Sequence, residues 1–347
     1  MLFVRTRYNV SFPMSKSFRS YLPLTIIPLL LVSGLIFYKT RASVPVLRGA
    51  WTQGVISSRP EVVSFGSQAS AVDAFHRSIN YFVVIGPALV FGILIGAAVR
   101  AYVPPDAWRR IFAVVGGRSQ LRAGLAGSPL MLCSCCVTPI FGAVYESSER
   151  LAPALTLMLA SPALNPAALA LTFILFGPAI GAMRLFMAVT AVAAIGPGVE
   201  ALFPRTPLPA VSEIYPGPDR QSFGRALYSV ILRTLPALVI GLLVSMFIVQ
   251  WLPAGAFASG MPHELAIVSV ASVAVPLALP TFLEIPLALS LLAAGFPAGA
   301  AIALLFAGPA INLPSIFATA RLTSWKVAAA VAGFVWLIAV IGGLMLP

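Results

Sequence analysis

Long runs of apolar residues alternate with short polar segments along almost the whole chain. Each run approaches or exceeds the roughly 20 residues that an α-helix needs to cross the hydrocarbon core of a bilayer. The first run is 21–38, and the eight that follow are 81–103, 123–145, 151–177, 179–203, 228–252, 266–292, 297–319 and 325–346. The pattern predicts an all-α polytopic membrane protein with about nine transmembrane helices, some of them broken by proline.

The last eight runs fall into two groups of four that match each other. The segment Pro87-Ala-Leu-Val-Phe-Gly recurs as Pro236-Ala-Leu-Val-Ile-Gly. Farther along, the pairs 147 residues apart are Pro129 and Pro276, Pro139 and Pro286, Pro162 and Pro309, and Asn165 and Asn312. This register predicts an internal duplication, which is frequent in secondary transporters. Four crossings in each copy would make the copies parallel, whereas one re-entrant run in each would make them inverted, so both orientations stay open.

These patterns divide the chain into five predicted segments. They are an N-terminal tail and membrane anchor (1–40), an extramembrane connector (41–80), a first transmembrane repeat (81–203), a Pro-rich linker (204–227) and a second transmembrane repeat (228–347). Arginines in the 104–122 loop and the basic N-terminus predict that both lie on the cytoplasmic side. Counting every apolar run as one crossing then places the connector and the linker outside.

Composition agrees with a membrane protein. Apolar residues make up 59% of the 347 residues and charged residues only 9%, whereas a soluble domain is about a quarter charged. The net charge of +12 comes from basic residues at the ends of apolar runs, so nucleic acid is not an expected partner. The expected partners are the lipid bilayer and a small-molecule or ion substrate, with a homo-oligomer as an option, and the expected location is the inner (plasma) membrane.

The three cysteines of the chain, Cys133, Cys135 and Cys136, lie within four residues of each other. On a regular helix Cys133 and Cys136 share a face, whereas Cys135 points elsewhere. An unwound turn beside Pro139 would let all three thiols converge. Thiolates are soft ligands that select thiophilic partners such as Cu(I) or trivalent arsenic. The cluster is therefore a candidate substrate or metal site, the alternative being three small apolar side chains in the core.

Prolines inside four apolar runs predict broken helices at matched depths: Pro139, Pro162, Pro286 and Pro309. Proline removes a backbone hydrogen bond, and a break inside the membrane is tolerated where it is buried in protein or lines a water-filled cavity. We expect these prolines to surround one central cavity, the alternative being kinks that only help packing.

Polar residues near these prolines complete the candidate site. The predicted substrate-binding residues are Cys133, Ser134, Cys135, Cys136, Ser161, Asn165, Asn312 and Thr281. Asn165 and Asn312 could instead only patch the broken backbone. Glu284 is a carboxylate inside an apolar run, and such residues mark ion or proton pathways, so it is the candidate coupling residue unless it makes a structural hydrogen bond. Arg184, near the end of a run, is expected to reach the membrane surface.

At these residues the chain resembles the predicted permease family that includes the arsenical efflux permeases. The resemblance rests on Cys133-Ser134-Cys135 followed by Pro139, on Ala160-Ser161-Pro162-Ala163-Leu164-Asn165-Pro166, and on Gly308-Pro309-Ala310-Ile311-Asn312. It covers both repeats, and Cys136 stands where the family usually has glycine. The resemblance implies an inner-membrane transporter of eight core helices that exports trivalent organoarsenicals, with relatives linked to metal ions.

The leading hypothesis is therefore a gradient-driven permease that exports a thiophilic solute and is not an enzyme. No nucleotide-binding G-x-x-x-x-G-K-[ST] motif occurs in the sequence, and no cofactor is expected. The alternatives are a membrane thiol oxidoreductase, a transporter of an unrelated small solute, and a structural membrane subunit.

Overall fold

The computed structural model describes residues 26–54, 71–103, 117–204, 222–251, 262–279 and 282–346, and the elements in this part of the chain are helices, with no strand. A 3₁₀ turn covers Ser128–Leu130. The α-helices are α1 (Ile26–Gln53), α2 (Ala71–Tyr102), α3 (Gly117–Gly127), α4 (Ser134–Ser148), α5 (Leu151–Ala163), α6 (Pro166–Leu202), α7 (Phe223–Trp251), α8 (His263–Ala274), α9 (Glu284–Ala293), α10 (Ala298–Ala310), α11 (Leu313–Leu322) and α12 (Trp325–Leu344).

Helices long and apolar enough to cross a membrane account for part of this set. They are α1, α2, α6, α7 and α12, and the pair α10 and α11, bent by 41°, would form a sixth crossing. The runs 123–145, 151–177 and 266–292, each predicted as one crossing, are divided between shorter helices. The all-α polytopic membrane class is confirmed, whereas the described residues supply five or six of the nine predicted helices.

Helix α6 reverses direction at Gly177. The backbone there is not helical (φ 82°, ψ 177°), in a region that favours glycine. Arg184 Nη1 donates a hydrogen bond to the carbonyl of Ala168, which lies 16 residues earlier. In a straight helix these residues would be about 24 Å apart. Helix α6 therefore consists of a first arm (166–176) and an antiparallel second arm (178–202).

Helices α3 and α4 form a hairpin that enters the protein and returns to the same face. Thr156 donates to Gln120, and Ser128 donates to the carbonyl of Leu164, so α3 and α5 run in the same direction. Helix α4 leads through a short turn into the start of α5 and therefore returns to the face at which α3 begins. The run 123–145 is thus a re-entrant hairpin with its tip inside the protein.

The C-terminal end of α2 lies beside the N-terminal end of α7. The rings of Tyr102 and Phe223 stack with centroids 5.8 Å apart, and Arg100 donates to Ser229 at 2.9 Å. The two helices, which carry the matched proline segments, therefore run in opposite directions, as expected if the copies of the predicted duplication are inverted.

Several helix boundaries follow the same 147-residue offset as the sequence matches. Helices α5 and α10 begin at 151 and 298 and end at 163 and 310, α6 and α11 begin at 166 and 313, and the second arm of α6 and α12 begin at 178 and 325. This agreement supports the duplication, which stays a prediction from the sequence.

The described ends of the linker lie at the same face as the described end of the 104–122 loop, which differs from the predicted placement of the linker. Helix α6 ends, and α7 begins, at the face where α2 ends: Glu200 near the end of α6 binds Arg150 at the start of α5. The reason is the α3–α4 hairpin, which had been counted as a crossing. The described basic residues of this face are Arg100, Arg118, Arg122, Arg150, Arg225, Arg233, Arg321 and Lys326. By the positive-inside rule we infer that it is cytoplasmic.

This arrangement can be tested by labelling with an impermeant maleimide from outside the cell. Arg118→Cys and Ser222→Cys are exposed positions at the basic face, and Glu264→Cys is an exposed position at the start of α8, which α7 places at the opposite face. We expect labelling of Glu264→Cys and none of the other two before the membrane is permeabilised. External labelling of Ser222→Cys would contradict the inferred topology. The three native thiols are buried and give a low background.

Candidate functional site

The three thiols form a compact buried cluster at the tip of the α3–α4 hairpin. The sulfur of Cys133 lies 2.9 Å from that of Cys136 and 3.1 Å from that of Cys135, and the Cys135 and Cys136 sulfurs are 3.9 Å apart. All three side chains are at most 5% exposed. Within the described part of the chain this is the one group of His, Cys, Asp or Glu side chains arranged to hold an ion.

The convergence of the thiols follows from the backbone at the hairpin tip. Cys133 is the N-cap of α4 and is extended (φ −71°, ψ 161°), whereas Cys135 and Cys136 lie in the first helical turn. Two residues earlier, Met131 has a left-handed backbone (φ 50°). Cys133 therefore stands outside the helix, free of the helical spacing that would turn it away from Cys135.

Close contact with α2 fixes the position of the cluster. A Cβ atom at Gly92 would collide with the carbonyl oxygen of Cys136, and one at Gly96 would lie 2.7 Å from the carbonyl oxygen of Pro139. Glycines four residues apart let two helix backbones approach closely. The first turn of α4, which carries two of the thiols, is thus packed directly on the backbone of α2.

Ser161 joins the hairpin tip to the end of α5. Its hydroxyl accepts a hydrogen bond from the backbone N–H of Leu132 at 3.1 Å and lies 3.4 Å from the Leu132 carbonyl oxygen. Ser161 therefore holds the residue before Cys133 and does not itself point to a free space. Ser134, in contrast, is fully buried, and its hydroxyl has no partner among the described residues.

One further residue near the thiols was not predicted from the sequence. The hydroxyl of Tyr81 on α2 lies 3.8 Å from the Cys135 sulfur, and Tyr81 is 1% exposed. Tyr81 opens an apolar run, where aromatic residues usually mark the membrane surface, so the sequence carried no signal of its inward position.

Asn165 and Asn312 cap the helices that follow the second break of each half. The Asn165 side-chain oxygen accepts from the N–H groups of Ala167 and Ala168. Asn312 and Ser315 form a reciprocal capping box at the start of α11. Both amide oxygens therefore already accept hydrogen bonds from backbone N–H groups. The Asn312 amide nitrogen is buried without a partner in the described structure, so a substrate role stays a prediction for that donor.

The breaks lie close to the four prolines but not at them. The described irregular segments are 131–133 before Pro139, 275–279 and 282–283 before Pro286, and 164–165 and 311–312 after Pro162 and Pro309. Pro286 is the third residue of α9, where its missing N–H has no intrahelical partner to lose. Pro162 and Pro309 are the penultimate residues of their helices. Pro162, Pro286 and Pro309 therefore lie in the first or last turn of a helix, whereas Pro139 is the sixth residue of α4. The nearest irregular residue lies two to six positions from each proline.

Glu284 forms a buried ion pair with Arg184. Arg184 Nη2 donates to Glu284 Oε1 at 3.1 Å, and both side chains are at most 2% exposed. The expectation that Arg184 reaches the membrane surface is wrong, because the reversal at Gly177 turns it inward beside Thr172, to which its Nη1 donates at 2.6 Å. The second carboxylate oxygen of Glu284 has no partner among the described residues.

The structure assembles only part of the predicted site. No hydrogen bond or ion pair among the described residues joins Glu284 to the thiols, and Thr281 lies outside the described residues. The thiols and the ion pair therefore form two separate polar centres, one at the start of α4 and one at the start of α9.

Residues 69–213 and 221–347 match the family model described as predicted permease. The chain belongs to this predicted permease family. This permease is 28% identical over 252 residues to the UPF0718 protein YraQ of Escherichia coli (strain K12), covering 70% of the chain and 72% of that protein. It is 35% identical over 81 residues to the UPF0718 protein MJ0584 of Methanocaldococcus jannaschii, or 23% and 22% of the two chains. No solved structure matches.

The packing of α2 on the thiol site can be tested with two glycine substitutions in the same helix. Gly92→Ala should force α4 away from α2 and destabilise the permease by about 1–3 kcal/mol, the usual cost of overpacking. Gly86→Ala is the matched control, because a Cβ there meets nothing within 4 Å. Thermal unfolding in detergent and titration with phenylarsine oxide, which binds neighbouring thiols, are the measurements. Equal behaviour of the two variants would show that the close contact does not hold the thiols.

Proposed function

We propose that this permease exports a thiophilic solute, a trivalent organoarsenical or a soft metal ion, with Cys133, Cys135 and Cys136 as its ligands. The observation that carries the proposal is the cluster itself: three buried thiols within 3.9 Å at the tip of the α3–α4 hairpin. Soft sulfur ligands select such solutes from a background of hard ions.

The number of ligands favours a three-coordinate centre. Structural zinc is almost always held by four ligands in a tetrahedral arrangement, whereas the cluster offers three sulfurs. No His, Asp or Glu joins the cluster within the described residues to act as a fourth ligand.

The chemistry of binding balances without a redox partner. With an arsenic(III) hydroxide, each new arsenic–sulfur bond replaces an arsenic–oxygen bond, and the thiol proton leaves with the hydroxide as water. An organoarsenical keeps its arsenic–carbon bond, so two of the three thiols replace its two hydroxides and the third stays protonated beside them. With a metal ion, the thiol protons are released. Glu284, the buried carboxylate, would serve as the coupling residue of a gradient-driven cycle.

The thiol oxidoreductase alternative has less support. The whole sequence contains three cysteines, all in this cluster, so a second dithiol to pass electrons to would have to come from another protein. A transporter of an unrelated solute would leave the clustering of the thiols without a role.

Uptake by everted membrane vesicles tests the proposal. Cys133→Ser and Cys136→Ser keep the size of the side chain and remove its softness, so energised uptake of phenylarsine oxide should fall by about tenfold or more, since even indirect damage to ligand sets costs that much. Ser147→Ala, at the far end of α4, is the control and should transport normally.

The decisive variant replaces all three cysteines with serine. Full transport by this variant, at expression matched to the parent, would show that the thiols are only packing groups. Loss of transport with retained folding, measured by the same thermal unfolding, would support the proposed site.

A further inference from the structure

We infer, on the basis of the gradient-driven transport proposed above, that the coupling ion is a proton, which binds Glu284 in competition with Arg184. The two residues form the most buried ion pair of the described structure, with side chains 1% and 2% exposed. An intramembrane pair of this kind marks an ion or proton pathway.

The carboxylate of Glu284 is only half satisfied. Oε1 accepts from Arg184 Nη2 at 3.1 Å, while Oε2 is buried with no partner among the described residues. A bare carboxylate oxygen in an apolar interior is unfavourable unless something binds it. The open oxygen is therefore the place where the coupling ion binds.

A proton fits this oxygen better than a metal cation does. Hard metal cations need about six oxygen ligands, and in the described ranges Glu284 belongs to no group of three or more His, Cys, Asp or Glu side chains that could hold an ion. The guanidinium of Arg184, bound to the other oxygen, would also repel a metal cation. A proton needs a single lone pair, and its binding neutralises Glu284 without adding ligands.

Arg184 is the one described charge that faces this carboxylate. Glu284 is the only charged residue of α9, and α10, which packs on α9, has none. The other charged residue of α6 is Glu200, which binds Arg150 at the basic face. The protonation of Glu284 is therefore balanced against its pairing with Arg184.

The pair also links the two halves of the permease. Arg184 is held within α6 by Thr172 and the Ala168 carbonyl, so it stays with the first half when Glu284 is protonated. Helix α9 is then released from α6. Phe282, just before α9, has a left-handed backbone (φ 77°), and such strain is found at segments that switch. Proton binding would thus shift the population between a paired and a released position of α9.

The first experiment follows α9 without any substrate. A single Ser290→Cys, exposed on α9, is labelled with maleimide in proteoliposomes across a range of pH. Its labelling rate is divided by that of Glu264→Cys, on α8, to remove the pH dependence of the thiol itself. We expect the ratio to change several-fold as the pH falls, and to stay constant when Glu284→Gln is added. A ratio that is constant in the parent, or that changes equally in Glu284→Gln, would overturn the inference.

The second experiment measures uptake of phenylarsine oxide by everted vesicles under a pH gradient or a sodium gradient. Glu284→Gln should bind the arsenical as the parent does but lose about tenfold or more of the uptake driven by the pH gradient. Glu200→Gln, which weakens the partly exposed pair with Arg150 at the basic face, should keep that uptake because this pair lies away from Glu284. Uptake driven by sodium in place of protons would overturn the inference.

Arg184 gives an independent readout. Without the Arg184 guanidinium the protonated form of Glu284 is favoured, so Arg184→Gln should move the pH of half-maximal transport upward. Arg184→Lys keeps the positive charge and should restore the original pH of half-maximal transport in part. It also serves as the test variant if Arg184→Gln fails to fold. An unmoved pH profile in a folded Arg184→Gln variant would exclude competition. If the α9 labelling follows pH but the arsenical neither binds nor moves, the proposed substrate fails and the proton inference stands.

Discussion

The need to satisfy the backbone inside the membrane governs this fold. A broken helix exposes N–H and C=O groups that hydrocarbon cannot bind, and the structure meets this need with polar side chains at each break. Ser161 binds the hairpin tip of the first half, and Ser245 binds the backbone of Pro276 and Ala278 in the second. Most buried polar side chains therefore form hydrogen bonds with the backbone, and only the polar atoms without such a bond are available to bind a solute.

The groups left over lie at the starts of broken helices. The buried side-chain atoms without partners in the described residues are the Ser134 hydroxyl, one Glu284 oxygen and the Asn312 amide nitrogen. They stand at the first turn of α4, at the first turn of α9 and at the cap of α11. Each helix start also carries a positive partial charge. The same breaks that interrupt the crossings thus supply the polar positions at which a solute and a coupling ion would bind.

The sequence could predict the membrane class and the proximity of the thiols, because both depend on local composition. It could not show that 123–145 is a hairpin, since an apolar run of this length is compatible with one crossing helix or with two short helices, and hydropathy gives no information on chain direction.

The location predicted for Arg184, at the membrane surface, is wrong for a related reason. Its partner Glu284 is 100 residues away, and the reversal at Gly177 that turns it inward depends on one residue in an otherwise regular apolar pattern.

The chain itself contains the comparison that bears most directly on the ion pair. At the 147-residue offset, Glu284 corresponds to Val137 and Arg184 to Val331, and both valines are fully buried. The equivalent positions in the two halves therefore hold hydrocarbon alone. Replacing a buried ion pair by well-packed apolar side chains is often neutral or stabilising, so stability gives no reason for a charged pair at only one of the two equivalent sets of positions. The asymmetry is better explained by the proposed transport cycle. In that cycle Glu284 of the second half can be neutralised by a proton, and Arg184 of the first half then loses its partner.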